Sequence, residues 1–347
     1  MRWLLGIFGL FVVLWCGWWF AGRTLILDQS EKLIAEQRAA GAVVEMDSFG
    51  VKGFPSRFDL TAENPRYIAP DGRIAWEGGT LRLYAMSWKP WHVILGLPQS
   101  QLITTPDRMI RLESEALHAS LRAAPDMDLP LAEARLTGSS LNIDATPGGV
   151  VQLGELALAL RDAAADAAAT HVYDIGIEAK RITPDPALTA ALAAVDLPDM
   201  PATRLPAVID RFHFDASLEL SAPLDRHAGE TRPRLLSVEL RDLSLTWGDL
   251  TMVAQGRLMP DDQGFAAGRI GLTVTNWNQL PPLLVASGMV QPRMAPILGN
   301  MLRALANEAG TPDRLTIPLD LKDGWMSFGP LPLGPAPKLG AAEPPAG

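Results

Sequence analysis

Trp3 to Gly22, WLLGIFGLFVVLWCGWWFAG, is a run of twenty residues without a charge. A helix of that length rises about 30 Å, the thickness of a bilayer's hydrocarbon core. Residues 1–22 therefore read as a transmembrane anchor, and any fold of this chain has to leave the run free to meet lipid. Trp3, Trp18 and Trp19 fall near its ends, where indole rings favour the headgroup level. A cleavable leader would carry small residues before its cleavage site, whereas Trp19 and Phe20 stand there, so the run is expected to stay attached. Cys16, the single cysteine, follows Trp15 and reads as an apolar residue facing lipid. Arg2 on one side faces Arg23, Lys32 and Arg38 on the other, so charge alone does not orient the run.

After the anchor the hydropathy period changes twice. Residues 23–41 carry Leu25, Leu27, Leu33 and Ile34 among Asp28, Glu31, Lys32 and Arg38, which predicts a helical stalk closed by Gly41. Beyond it the period becomes two. In Arg211 to Ser221 the apolar Phe212, Phe214, Ala216, Leu218 and Leu220 alternate with Arg211, His213, Asp215, Ser217 and Glu219, the pattern of an antiparallel strand with one apolar and one wet face. Leu236, Val238 and Leu240 continue it. Leu243, Leu245 and Trp247 then fall on the opposite parity, so a bulge is expected at Arg241 and Asp242. Gly248-Asp249, Pro260 to Gly264 and Asp323-Gly324 are turn signals between further strands, which predicts a meander, with Leu321 opposite Met326 and Leu319 opposite Phe328.

Helices are the minority: Pro186 to Val195, Asn276 to Ser287 with a break at Pro281-Pro282, and Arg293 to Asn307. The fold class is mainly β (α+β), with long curved antiparallel sheet and a few helices behind one transmembrane helix. Residues 42–328 form the β-rich domain, with an alanine-rich joint at Ala163 to Ala169. Arg57-Phe58-Asp59-Leu60 loosely resembles the opening of the Arg211 strand, so two similar halves are one reading. The Pro- and Gly-rich residues 329–347 read as an extended, largely unpacked tail.

Composition excludes some functions. With 48% apolar and 20% charged residues the chain is globular, and a net charge of −9 without a basic cluster argues against a nucleic-acid partner. His92, His118, His171, His213 and His227 have no metal-ligand spacing, and no nucleophile elbow, phosphate loop or dinucleotide fingerprint is present. No catalytic residue, metal or cofactor is assigned, and a non-enzymatic role is expected. Asp261-Asp262-Gln263-Gly264 resembles a fragment of a calcium loop, but the full set of oxygen ligands is missing and a hairpin turn explains it.

Gly53-Phe54-Pro55-Ser56-Arg57-Phe58-Asp59-Leu60, Leu243 to Gly248, Gly268 to Leu272 with Asn276-Trp277, and Ile317-Pro318-Leu319 followed by Asp323-Gly324 and Gly329 to Gly334 together resemble the alphaproteobacterial family called domain of unknown function 2125. That resemblance implies an inner-membrane-anchored envelope protein with its bulk in the periplasm, and it carries no catalytic residues. A remoter similarity to AsmA-like envelope proteins implies lipid passage between membranes. In residue terms, Phe212, Phe214, Leu218 and Leu220 form a candidate lipid-facing surface for phospholipid; the same residues would serve as ordinary core. Trp88 and Trp91, in Trp88-Lys89-Pro90-Trp91-His92, are candidates for contact with membrane or glycan. A role in envelope maintenance through lipid binding or transfer stands against that of a polysaccharide-binding or scaffold protein.

Overall fold

The computed structural model describes residues 2–163, 171–196, 205–308, 310–328 and 331–340. Two compact units make up the chain: residues 1–129 with 133–149, and residues 130–132 with 150–347.

The first unit starts with α1 (Arg2–Ala39), a single helix through the apolar run and the charged segment after it. Trp3 to Leu14 are all exposed. From Trp15 onward a half-buried or buried stripe appears at Trp15, Cys16, Trp19, Gly22, Arg23, Ile26, Leu27, Ser30, Ile34 and Gln37, recurring every three or four positions. The expected stalk is thus a helix laid against the unit's strands, and Cys16 lies on that packed stripe. The strands are β1 (Val43–Glu45), β2 (Ser48–Lys52), β3 (Arg57–Glu63), β4 (Arg66–Ile68), β5 (Ala75–Gly78), β6 (Thr80–Met86), β7 (Lys89–Gly96), β8 (Ser100–Thr104), β9 (Met109–Glu113), β10 (Ala116–Ala123) and β11 (Leu131–Thr146). They run in two antiparallel ladders. One is ordered β2–β3–β6–β7–β10, the other β1–β4–β5–β8–β9–β11.

The second unit is a meander in which each strand pairs antiparallel with the next: β12 (Gly149–Asp162), β13 (His171–Thr183), β14 (Ile209–Leu220), β15 (Leu235–Trp247), β16 (Leu250–Pro260), β17 (Ala266–Thr275), β18 (Arg314–Lys322), β19 (Trp325–Phe328) and β20 (Leu331–Pro335). Among the described residues it is interrupted by the α-helices α2 (Pro186–Ala194), α3 (Ala228–Thr231), α4 (Leu280–Ala286) and α5 (Ala295–Glu308). Asp185 caps α2, its Oδ1 accepting from the Ala187 N–H at 2.6 Å, with Pro186 at the first helical position. Pro281 and Pro282 stand in the first turn of α4, where the missing N–H groups have no helical partner to lose.

The bulge stands where the alternation changes parity. Asp215 faces Asp242 and Ala216 faces Leu240, so Arg241 is the extra residue, and Leu240 and Leu243 stay on one face. A second register shift at Leu220 pairs it with Leu235, and Leu235 packs on the core while Leu236 is exposed. Leu235 therefore takes the apolar place expected of Leu236, while Val238 and Leu240 keep the expected alternation. Asp323 and Gly324, with φ of 53° and 76°, make the tight turn that sets Leu321 against Met326. Asp261 Oδ1 accepts from the N–H groups of Gln263 and Phe265 at 2.9 and 2.8 Å, which makes that segment a side-chain-closed hairpin turn.

The Pro-rich end differs from its expected unpacked state as far as residue 340. Its β20 pairs with β19, Lys338 bridges to Phe265, and Ala336 is buried in the core. Proline tolerates this position because an edge strand needs only half of its donors. Residues 341–347 lie outside the described part, as does nearly all of the alanine-rich joint.

Candidate functional site

The cross-strand register in the second unit joins the candidate residues into one apolar surface. Phe212 lies between Ala179 and Leu245, Phe214 between Ile177 and Leu243, Leu218 between Tyr173 and Val238, and Leu220 between His171 and Leu235. The face continues through Leu156, Leu158 and Leu160 of β12 on one side and Ala254, Leu272 and Ile317 on the other.

Its two sides are buried differently. Over β16 to β18, Leu250, Val274 and Leu315 are sealed in a core with Trp277, Leu280, Leu302 and Ala306 from the helical segment. Over β12 to β15, Leu156, Leu158, Leu160, Ile175, Ile177, Phe212, Phe214, Leu243 and Leu245 stay half-exposed. Phe214 and Leu218 nonetheless touch the core around Ala216. The candidate surface is therefore the border between a closed core and an open strip.

The opposite face is an ionic lattice centred on Arg241. The bulge turns its guanidinium onto Asp174 Oδ1 and Ser217 Oγ, each at 2.7 Å, and onto both oxygens of Asp215. Ser217 Oγ also donates to Asp174 Oδ1 at 2.8 Å, and Arg161 reaches Asp174 Oδ2 at 3.1 Å. Burial pushes the Asp174 carboxyl up, but the hydrogen bonds from Arg241, Ser217 and Arg161 outweigh it and hold it below the ordinary carboxylate range. His213 lies on this face, its Nε2 4.0 Å from Asp242 Oδ2. Among the described residues no group of three or more His, Cys, Asp or Glu could hold a metal.

In the first unit, Trp88 is 53% exposed in the turn joining β6 to β7, and its ring lies 6.1 Å from that of Trp15 on α1. Trp91 is half-buried in β7. A residue that sequence reasoning did not single out joins Trp88 here. Phe54, 52% exposed in the turn between β2 and β3, lies 5.3 Å from the Trp19 ring and 5.6 Å from that of Phe20. The signal was available: Gly53-Phe54-Pro55-Ser56 puts a bulky aromatic in a tight turn, where polar residues are the rule.

Trp19 faces the unit's strands. It is 4% exposed, stacks on Phe58, and donates its indole N–H to the Arg57 carbonyl at 2.7 Å. Trp18 donates to the Ser87 carbonyl at 3.2 Å, and Arg23 Nε to that of Val51 at 3.3 Å. Gly22 lets the helix approach, since a Cβ there would stand 2.7 Å from Phe58 Cζ. Of the tryptophans in the second unit, Trp325 is exposed and two serve the core. Trp247 and Trp277 are buried and donate to the carbonyls of Pro206 and Pro312.

The model of a family described as an uncharacterised protein conserved in bacteria (DUF2125) matches residues 19–337. No curated protein and no solved structure matches the chain.

Proposed function

The chain belongs to the family of uncharacterised bacterial proteins called domain of unknown function 2125, and from that premise we propose that it is a membrane-anchored, non-enzymatic protein that holds or passes phospholipid in the cell envelope. α1 is long and apolar enough to cross a membrane, which is consistent with an anchor. The inner membrane and the periplasm are the compartments this reading assigns. One observation carries it. Along the apolar face of β12 to β15 Leu156, Leu158, Leu160, Ile177, Phe212 and Leu245 stay partly exposed beside the buried Ala179, Ala216, Val238 and Leu240, while Leu250, Val274 and Leu315 of β16 to β18 are sealed by the helical segment. An acyl chain needs such a continuous apolar strip, with polar groups kept to the far side of the sheet.

A photo-crosslinking residue at Phe212 or Phe214 in living cells is expected to capture lipid, while one at Arg211 or His213 is not. Neighbours on a strand point to opposite faces, so each pair is its own control. Capture from neither face in the folded protein would make the Phe212 surface ordinary core. The polysaccharide reading is weaker, because the exposed Trp88 has its ring beside Trp15 of the apolar run, where lipid and not glycan is the expected neighbour.

A further inference from the structure

We propose that the first unit does not stand clear of the bilayer but sinks two adjacent hairpin tips, Phe54-Pro55 and Trp88, into the leaflet from which α1 emerges. The proposal rests on the anchor in the reading above, and not on lipid carriage.

Length is the first argument. The part of α1 that carries nothing but solvent-exposed apolar residues is Trp3 to Leu14, about 18 Å of helix, against a hydrocarbon core of about 30 Å. The strands are already bonded to the helix at Trp18 and Trp19, about 22 Å from Trp3. A bilayer thinned to fit would pay for every ångström of mismatch. Lowering the unit until its tips share the outer part of the leaflet closes the gap without thinning.

The tips have the chemistry for that position. Each presents a half-exposed aromatic on the α1 side, Phe54 beside Phe20 and Trp88 beside Trp15. Backbone entering a dry region has to satisfy its own polar groups, and here part of that demand is met within the turns and by α1. The Gly53 carbonyl accepts from the N–H groups of Ser56 and Arg57 at 3.2 and 2.9 Å. The Ser56 carbonyl accepts from Ser87 N–H and Oγ at 3.0 and 3.1 Å. The carbonyls of Arg57 and Ser87 are taken by the two indoles of α1. Pro55 has no N–H to satisfy. Lys52 and Lys89, exposed just behind the tips, are placed to reach lipid phosphates.

The test uses the full chain with Cys16→Ser, in nanodiscs of mixed phosphatidylcholine and phosphatidylglycerol, with a nitroxide on one cysteine at a time: Leu10→Cys, Phe54→Cys, Trp88→Cys or Asp71→Cys. Asp71 is a distal control, since its neighbour Pro70 abuts Gly41 beyond the other end of α1. The ratio of oxygen to nickel-chelate accessibility is expected to be several-fold higher at 54 and 88 than at 71, approaching that at 10. Phe54 and Trp88 are more than half exposed, and circular dichroism checks that each labelled variant keeps its fold. Ratios at 54 and 88 equal to that at 71, with position 10 still lipid-buried, overturn the insertion and leave the anchor standing. A water-like ratio at position 10 overturns both.

Discussion

At the scale of single residues, two contrasts define what this chain requires. Gly22 is the point where α1 meets Phe58, and any side chain there must displace an aromatic ring held between Trp19 and the sheet. Gly22→Leu is expected to destabilise the first unit by about 1–3 kcal/mol in detergent-solubilised denaturation, because overpacking cannot relax against a stacked ring. In the second unit, Leu218 packs on the core while Glu219 points to the polar face, where its Oε2 accepts from Ser237 Oγ at 2.9 Å. Leu218→Asp should cost more than about 3 kcal/mol through a charge without a partner, whereas Glu219→Gln, which keeps an accepting oxygen, should stay within about 0.5 kcal/mol. Equal melting temperatures for the two variants would refute the assignment of faces.

At the scale of elements, the bulge in β15 does two things at once. It absorbs a one-residue change of parity, and it delivers the Arg241 guanidinium to two carboxylates. Asp174 titrates below its ordinary range when folded, so its contribution to stability is complete above the unfolded pKa and disappears as pH falls through the folded one. Thermal stability should therefore fall with acid below the ordinary carboxylate range. Arg241→Met should lower stability at neutral pH by about 1 kcal/mol, since the guanidinium is partly exposed to solvent, and should flatten the acid slope. An unchanged slope would mean that Asp174 is held down by other groups. The parity change was legible from Leu240 and Leu243 alone, because apolar residues must stay on one face. What Arg241 reaches was not, since Asp174 lies two strands and many residues away.

At the scale of the whole molecule, the apolar run has two roles divided near Leu14. Trp3 to Leu14 are exposed, while Trp15 to Gln37 supply a packed stripe of the first unit. Deleting residues 2–14 should leave the unit's circular dichroism and melting close to those of the full chain. Deletion through Leu27 should unfold it, by stripping Trp19, Ile26 and Leu27 from Val51 and Phe58. The same packing predicts that the mature protein retains Trp19, and amino-terminal sequencing of protein from its native membrane checks this. The two units are also built on different plans, interleaved ladders in the first and a sequential meander in the second. The loose likeness between the Arg57 and Arg211 segments is a likeness of strands and not of topology.

Local patterns in the sequence determined what depends on neighbours along the chain: the helix through the apolar run, the faces of β14, the bulge, the Asp323-Gly324 hairpin and the short helices at their prolines. Period, turn chemistry and capping act over a few residues, so no distant contact could overrule them. Only the tertiary structure decided which apolar face stays open and how far up α1 the sheet begins. Both depend on contacts between segments far apart in the chain, α4 and α5 over β16 to β18, and the Phe54 and Trp88 turns against Trp15 to Phe20. Hydropathy made Trp18 and Trp19 part of one uniform span; two carbonyls, of Ser87 and Arg57, made them the place where the span meets the fold.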